Sequence, residues 1–324
     1  MRRFTLFILI IFLLTGLSGG GVFVWGFAQY IKPGPTVSEN TVYIPEGSTV
    51  DSIANILESE GVIDDAMIFS LGVRLSRIEK GLKAGEYAFS HGISAKGAAQ
   101  VLINGKTVIR RLTIAEGLTA FQVFDQLVVT NGLEDTFDVP LEGSVLPETY
   151  YFSYGDTRSA LIKRMVRAMD NNLNRLWQER ASGLPFKEPN EALILASIVE
   201  KETGVKAERA RIAGVFINRL KKGMRLQSDP TVVYGLSKGD GPLGRPLMRA
   251  DLKKKTPYNT YTINGLPPGP ICNPGLAAIR AVMNPQYTDE LYFVADGKGG
   301  HVFAKNLKEH NRNASRWRKI RDAN

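Results

Sequence analysis

Two glutamates, two residues apart, are the strongest candidates for chemistry in this sequence. Glu200 and Glu202 lie in the segment Ser197–Thr203, which reads as the end of an amphipathic helix. Residues two apart point about 200° away from each other around a helix, so the two carboxyl groups cannot both face one cleft. A carboxyl group among apolar neighbours has a raised pKa and can hold a proton near neutral pH, as a general acid must.

Helical spacing favours Glu202 as that acid. Glu200 lies over small residues, on a less apolar face of the helix. Glu202 instead continues an apolar stripe made by Leu195, Ile198 and Val199. The same spacing also fits a Glu202 that points outward beside Lys201 at a frayed helix end, and spacing alone does not separate the two interpretations.

The composition limits the other kinds of site. The 324 residues include one cysteine, Cys272, and three histidines, which excludes a disulfide framework and a multi-cysteine metal centre. His301 and His310 could each be a metal ligand, but a convincing third is missing, and a hydrogen-bonding role is favoured. The composition therefore predicts that any chemistry done here uses carboxyl and hydroxyl groups, without a metal or cofactor.

The net charge of +9 suits an anionic partner. Nucleic acid, acidic lipid headgroups and a carboxylate-bearing polymer are the candidates. Nucleic acid is excluded because basic and aromatic residues do not interleave in any run. The basic tail from Arg312 to Arg321 suits either of the other two partners.

The N-terminus reads as a membrane anchor. Residues 4–31 carry no charge, and about 20 apolar residues are enough to cross a bilayer. Residues 1–3 include two arginines and form a cytoplasmic tip by the positive-inside rule. A cleaved signal peptide is the alternative, but the apolar run resumes at Val22–Ile31 without a clear cleavage site. We expect one transmembrane helix in the inner membrane, a linker at 32–40, and a periplasmic or extracytoplasmic remainder.

Two similar segments follow the linker and define a small α+β module at residues 41–138. Each has a short β run, then Glu-Gly-x-Thr, then an amphipathic helix, starting at Ile44 and at Ile114. Thr49 and Thr119 are the predicted N-caps of those helices. Two or three copies are too few for a solenoid, so paired β-helix units are expected.

Residues 139–324 read as a mixed α/β domain. Apolar spacing predicts helices over Leu161–Arg180, Ala192–Thr203 and Ala207–Lys222, with Asn190 capping the second. Beyond the third helix, Pro and Gly are dense among aromatic and aliphatic residues, which indicates long, rigid loops around a cleft. The expected fold class is α+β, made of the anchor, the small module and this domain.

Ordered motifs cover the chain from the anchor onward. They are EGSVLPETY at 142–150, LASIVEKET at 195–203, VFINRL at 215–220, MRLQSDPT at 224–231, YNTY at 258–261, GLPPGPI at 265–271, NPG at 273–275 and YFVADGKGGH at 292–301. Together they resemble the MltG/YceG family of endolytic murein transglycosylases, and the repeat-bearing region resembles that family's LysM-like module. Ser144-Val-Leu departs from the bulkier aromatic segment common in the family.

The resemblance implies lytic cleavage of the β-1,4 bond between N-acetylmuramic acid and N-acetylglucosamine in nascent peptidoglycan strands. The muramoyl end would be left as a 1,6-anhydro sugar, so the enzyme would be a lyase acting on polysaccharide and a terminase of glycan elongation. The catalytic residue of the family corresponds to Glu202, followed here by Thr203. Peptidoglycan synthases are the protein partners that the resemblance implies.

One carboxyl group is enough for this chemistry if the N-acetyl oxygen of the substrate assists. Glu202 would protonate the leaving oxygen and then, as a carboxylate, take the proton of the C6 hydroxyl. The residues expected to hold sugar hydroxyls and acetamido groups are Gln227, Ser228, Tyr258, Asn259, Tyr261 and Glu148. Hydrogen bonding within the loops is an equally good interpretation for each of the first five, and Glu148 is also the runner-up catalytic carboxylate.

Two other functions stay open. A muramidase that uses water would employ Glu148 or Asp229 as its second carboxylate and would leave reducing ends. A non-catalytic envelope protein would bind glycan and recruit synthesis enzymes, and its role would not depend on the carboxyl group of Glu202.

Overall fold

The chain forms two compact units, each with its own core. The computed structural model describes residues 18–323. Residues 18–110 and 152–155 make the first unit, and residues 111–151 and 156–323 make the second. The division into a LysM-like module at residues 41–138 and a catalytic domain at residues 139–324 stays a prediction.

The first unit combines four helices with a two-stranded sheet. Its elements are α1 (residues 18–31), β1 (Asn40–Ile44), α2 (Val50–Ser59), α3 (Ala66–Leu75), β2 (Gly85–Phe89) and α4 (Ala95–Asn104). β1 and β2 pair antiparallel, with Asn40 opposite Phe89 and Ile44 opposite Gly85. Its apolar helix faces and alternate strand residues enclose the core, whose largest fully buried side chains include Leu57, Phe69, Tyr87 and Leu102.

Polar caps start the helices of this unit after α1. Thr49, Asp65 and Ser94 each accept a hydrogen bond from the backbone N–H three residues further on, which satisfies one free donor at the helix start. Thr119 does the same for the next helix along the chain, α5 (Ala120–Val128), in a reciprocal capping box with Gln122. The predicted caps Thr49 and Thr119 are therefore confirmed.

The described residues include only part of the predicted transmembrane anchor. Residues 4–17 of that prediction lie outside them, and the remainder forms α1. Among residues 18–323, no helix is both long enough and apolar enough to cross a membrane.

The second unit is a helical core with short strands around it. The elements from β3 onward, besides α5, are β3 (Arg110–Thr113), β4 (Leu133–Glu134), β5 (Thr149–Phe152), β6 (Asp156–Thr157), α6 (Arg158–Gln178), α7 (Pro189–Glu202), α8 (Arg209–Lys221), α9 (Asp229–Ser237), α10 (Leu276–Met283), β7 (Tyr292–Ala295), β8 (His301–Ala304) and α11 (Leu307–Ala323). β3 pairs with β5, β4 runs parallel to β6, and β7 runs antiparallel to β8. Helix α7 packs against α6, α8 and α10. This mixed α/β content with small sheets agrees with the predicted α+β class.

The three predicted helices of this part of the chain are present as α6, α7 and α8, but the predicted cap of α7 is wrong. The helix begins at Pro189, whose fixed φ and missing N–H suit the first helical position, and Glu188 is the residue before it. Asn190 therefore lies inside the first turn. The helix has no side-chain cap, and the carboxylate of Glu191 accepts a hydrogen bond from the backbone N–H of Lys187, just before the helix.

Candidate active site

The end of α7 holds the predicted catalytic carboxyl group. Every residue from Ala192 to Val199 is buried in the core of the second unit, so tight packing holds the helix in position. Glu202 is the last helical residue, and the chain leaves the helix at Thr203 in an extended conformation. The helix thus carries a half-buried Glu202 to the place where it emerges from the apolar core.

A serine from a distant loop holds this carboxyl group. Ser228 Oγ donates a hydrogen bond of 2.5 Å to Glu202 Oε1. Ser228 is only 1% exposed, and its backbone N–H donates to Thr260 Oγ1 at 2.9 Å. The hydroxyl groups of Thr260 and Thr231 are hydrogen-bonded to each other at 2.8 Å. Two loops, around residues 228 and 260, therefore position the hydrogen bond to Glu202.

Burial makes Glu202 a weak acid. Loss of hydration raises the pKa of Glu202 to about 7. The Ser228 hydrogen bond and electrostatic interactions with His301 and Arg219 favour the ionised form, whereas the Asp229 carboxylate opposes it, and burial is the largest of these effects. At neutral pH both protonation states are therefore populated, as one residue that acts first as acid and then as base requires.

Glu200 is engaged in a buried ion pair. Its carboxylate accepts hydrogen bonds from Arg209 Nη2 and from the backbone N–H of Gly275, both at 2.9 Å. The side chains of Arg209 and Glu200 are 7% and 5% exposed, and Glu116 approaches the same guanidinium at 3.3 Å. Burial raises the pKa of Glu200 too, but the N–H of Gly275 and the Arg209 guanidinium oppose this rise and tie Glu200 to its neighbours. Of the two glutamates, Glu202 is therefore the better candidate for a general acid.

Loss of the Ser228 hydroxyl is expected to raise the pKa of Glu202 further. The hydroxyl donates to the ionised carboxylate, so Ser228→Ala removes a group that stabilises the charged form. In the predicted mechanism the first step needs protonated Glu202, so the alkaline limb of the pH–rate profile should move up by about 0.7 pH unit, the equivalent of about 1 kcal/mol. Ser228→Thr, which keeps the hydroxyl, should leave the limb in place. An unmoved limb in Ser228→Ala would contradict this role.

Three of the predicted sugar-binding residues lie on the same two loops. Gln227 directly precedes the serine, has a positive φ of 52° and is exposed. Tyr261 Oη donates to Asp229 Oδ1 at 2.6 Å. Tyr258 is half-buried and packs against Tyr234 with ring centroids 4.7 Å apart. Sugar binding by these three side chains stays a prediction.

Asn259, also predicted to bind sugar, is fully buried. Its Nδ2 donates to the carbonyls of Leu252 and Lys254 at 3.1 and 2.6 Å, and its Oδ1 accepts from the backbone N–H of Tyr261 at 2.9 Å. Buried backbone groups of an irregular loop need such partners, which helix or sheet ladders do not supply here. The structure therefore shows the loop-internal hydrogen bonding that was the alternative for this residue.

Asn259→Ala is expected to destabilise the fold and not to weaken sugar binding directly. The substitution leaves buried carbonyl and N–H groups without a partner, which costs about 2 kcal/mol or more of the free energy of unfolding. Urea denaturation measures this loss, and KM for glycan strands measures binding. A raised KM with unchanged stability would instead support a contact between Asn259 and the substrate.

The two candidate second carboxylates differ in their surroundings. Asp229 begins α9, directly after Ser228, and its charge raises the pKa of Glu202. Glu148 precedes β5, where its backbone carbonyl accepts from Ile114, and its side chain is exposed. Of the two, Asp229 is the residue whose charge acts on Glu202.

Arg219 and His301 complete the site, because both interact electrostatically with Glu202. Arg219 is buried and donates to the backbone carbonyls of Leu226 and Leu291. The Nδ1 of His301 is 2.7 Å from Glu208 Oε2, which confirms the predicted hydrogen-bonding role of this histidine. The role of Arg219 was not predicted, because its approach to Glu202 arises only on folding.

The polar groups at the site are carboxyl, hydroxyl, guanidinium and imidazole groups. Within the part of the chain that the structure describes, His, Cys, Asp and Glu side chains form no group of three or more that could hold a metal ion. Cys272 is fully buried, and loss of hydration raises the pKa of its thiol, so a reactive thiolate is disfavoured.

Known proteins of similar sequence and structure belong to the family that the motifs resemble. A model of the YceG-like family matches residues 42–316. Proteins named endolytic murein transglycosylase from Bacillus subtilis and Streptococcus pneumoniae are 34% and 33% identical, over 90% and 92% of this chain and 89% and 62% of their own lengths. A crystal structure of a YceG-like protein from Listeria monocytogenes has a TM-score of 0.56 and 35% identity, over 85% of this chain and 98% of that one. This chain belongs to the YceG-like family.

Proposed function

We propose that this protein is an endolytic lytic transglycosylase of peptidoglycan strands, with Glu202 as its catalytic residue. The observation that carries the proposal is a carboxyl group with a pKa of about 7 at the end of a buried helix, held by Ser228. The names of the relatives from Bacillus subtilis and Streptococcus pneumoniae support peptidoglycan as the substrate and a cut within the strand.

The reaction consists of two proton transfers at one group. Protonated Glu202 gives its proton to the glycosidic oxygen as the bond from muramoyl C1 to O4 breaks, so N-acetylglucosamine leaves with a hydroxyl group. The C6 oxygen then bonds to C1, and the C6 hydroxyl proton passes to the Glu202 carboxylate. Water is not consumed, and because the nucleophile belongs to the same sugar, proximity favours the attack.

The surroundings of Glu202 stabilise the carboxylate that exists between the two steps. Ser228 donates to one carboxylate oxygen, and the positive charge of Arg219 lowers the free energy of the ionised form. Burial keeps that form from being so stable that the proton cannot return. The exposed Gln227 and the half-buried Tyr258 and Tyr261 are the candidates for holding the sugars.

Mass spectrometry of digested glycan strands tests the reaction. A lytic cut leaves muramoyl ends that are lighter by one water than the ends left by hydrolysis. Anhydro ends support the proposal. Reducing ends would overturn the lytic mechanism in favour of a muramidase with Asp229 as the second carboxylate, the alternative that its charge beside Glu202 favours. Intact strands would overturn catalysis and favour a glycan-binding envelope protein.

We also propose that residues 4–31 anchor the protein in the inner membrane, with the N-terminus in the cytoplasm and the chain from residue 32 onward outside. The uncharged run and the two arginines before it support this orientation. Protease added to spheroplasts should degrade the second unit, and alkaline carbonate should leave the protein in the membrane fraction. Extraction by carbonate, or protection from the protease, would contradict the proposal.

An anchored enzyme of this kind suits release of nascent strands from peptidoglycan synthases. Cells that lack the protein should then have longer glycan strands, and cells with Glu202→Gln should show the same lengthening. Unchanged strand length would contradict a role as terminase of glycan elongation.

A further inference from the structure

Helices α1 and α3 of the first unit form an apolar groove on the surface of that unit. We name it the α1–α3 groove. It is a cavity of about 540 Å³, lined from α1 by Val22, Phe23 and Phe27 and from α3 by Met67, Leu71 and Leu75. The three α3 residues recur every four positions and form one stripe on that helix.

The groove walls are held together at one end. The ring of Tyr30 is 5% exposed and lies over Gly72, where a Cβ atom would come within 2.4 Å of the ring. Lys32 Nζ is 2.9 Å from the Asp64 carboxylate. The C-terminal part of α1 can pack this closely against α3 only because residue 72 is a glycine.

The side chains that line the groove are largely exposed, although they are apolar. Met67, Leu71 and Leu75 are 71%, 47% and 68% exposed, and Phe23 and Phe27 are 60% and 51% exposed. A contiguous apolar patch of this size on a soluble protein marks a site of contact with a partner or a membrane.

The chain around α1 indicates lipid as the occupant. Residues 4–31 are longer than one bilayer crossing by about two helical turns. When about the first 20 of these residues cross the hydrocarbon core, the remaining residues, which include Trp25 and Tyr30 of α1, lie in the interface. Amphipathic aromatic rings are enriched in that interface. α3 is held beside that part, and from Ala66 to Leu75 its only charged residue is Arg74.

We propose that α3 is a second membrane contact, which inserts Met67, Leu71 and Leu75 among the lipid headgroups and upper acyl chains beside the anchor. The proposal rests on the proposed anchoring by residues 4–31. An amphipathic helix in such a position buries its apolar face by about 5–10 Å. The two contacts together would fix the orientation of the first unit on the membrane, which a single anchor would not do.

Depth-dependent fluorescence quenching tests this contact in the full-length chain. Single cysteines at Met67→Cys, Phe23→Cys and Asn104→Cys would carry the same environment-sensitive dye. Asn104 is the matched control because it is an exposed residue at the end of a helix in the same unit. Cys272 is 0% exposed, so the unsubstituted chain gives the labelling background. The vesicles contain phosphatidylethanolamine, phosphatidylglycerol and phosphatidylcholine with a nitroxide high on its acyl chain.

The expected result is quenching at position 67 that is about twofold or more above that at position 104 and comparable with that at position 23. Quenching at position 23 alone would overturn the α3 contact and leave the anchor intact. No quenching at any of the three positions would overturn the anchor itself. At position 67, dye emission that is shifted as in an apolar environment, but only at a high protein-to-lipid ratio and without nitroxide quenching, would overturn lipid as the occupant in favour of a second copy of the chain.

Discussion

Glu202→Gln is expected to lower the rate of glycan cleavage by about 10³-fold or more, with no anhydro ends detectable by mass spectrometry. The amide cannot give up a proton to the glycosidic oxygen and cannot accept one from the C6 hydroxyl, so both steps lose their catalyst. Gln is close to Glu in size, and its carbonyl oxygen still accepts the hydrogen bond from Ser228. KM should therefore change much less than kcat.

The pH dependence of stability provides the control for this variant. Burial raises the pKa of Glu202 from its ordinary 4.5 to about 7, so the folded state prefers the neutral carboxyl group. The stability that this preference contributes is fully present below pH 4.5 and is lost as the pH rises through 7. Gln is neutral at every pH, so the Tm of Glu202→Gln should exceed that of the wild type at pH 8 and match it at pH 4.

Two results would contradict this assignment. Full activity of Glu202→Gln would remove Glu202 from the mechanism. A variant that is inactive because its Tm falls at both pH values would assign a structural role to Glu202, since a catalytic carboxyl group that is costly to ionise should be replaced by Gln without loss of stability.

Arg209→Met is expected to cause the largest loss of stability, about 3 kcal/mol or more in the free energy of unfolding. The substitution keeps an aliphatic side chain of similar length but leaves the carboxylate of Glu200, which is only 5% exposed, without its guanidinium partner. Glu116, half-exposed, turns to solvent at little cost. Urea denaturation followed by circular dichroism measures the change.

Glu200→Gln is the matched control for the ion pair. The amide oxygen can still accept from the backbone N–H of Gly275, and Arg209 keeps Glu116 as a partner, so the cost should be about 1–2 kcal/mol. Its activity should stay within about tenfold of wild type, in contrast to the loss in Glu202→Gln. Equal stability of Arg209→Met and the wild type would show that the pair contributes nothing, and an inactive but stable Glu200→Gln would return Glu200 to the list of catalysts.

Local patterns predicted the elements of the fold well. Helices α6, α7 and α8 follow from apolar spacing, and Thr49 and Thr119 from the preference of a helix start for a side-chain oxygen. The cap of α7 was wrong for an equally local reason: proline at the first helical position competed with the asparagine that follows it. Boundaries of this kind depend on one or two residues, so a single preference decides them.

The roles of the loop residues could not be read in the same way. Ser228 and Asn259 lie in Pro- and Gly-rich segments without periodicity, and both were predicted to bind sugar. One donates to Glu202 and the other to its own loop. Which polar group a loop side chain meets depends on how the loops pack, and no local preference encodes that packing.

The sequence by itself determined that a glutamate at the end of a helix between 189 and 203 is the central candidate, because helix formation and the separation of positions 200 and 202 around a helix are local properties. Only the tertiary structure decided which carboxyl group is the weaker acid, because burial raises the pKa of both and raises that of Glu202 to about 7. Ser228 is 26 residues from Glu202, and Arg209 is 9 residues from Glu200. Loss of hydration and ion pairing depend on such non-local neighbours, and in this fold they give Glu202 a pKa near neutrality while Glu200 is held in an ion pair.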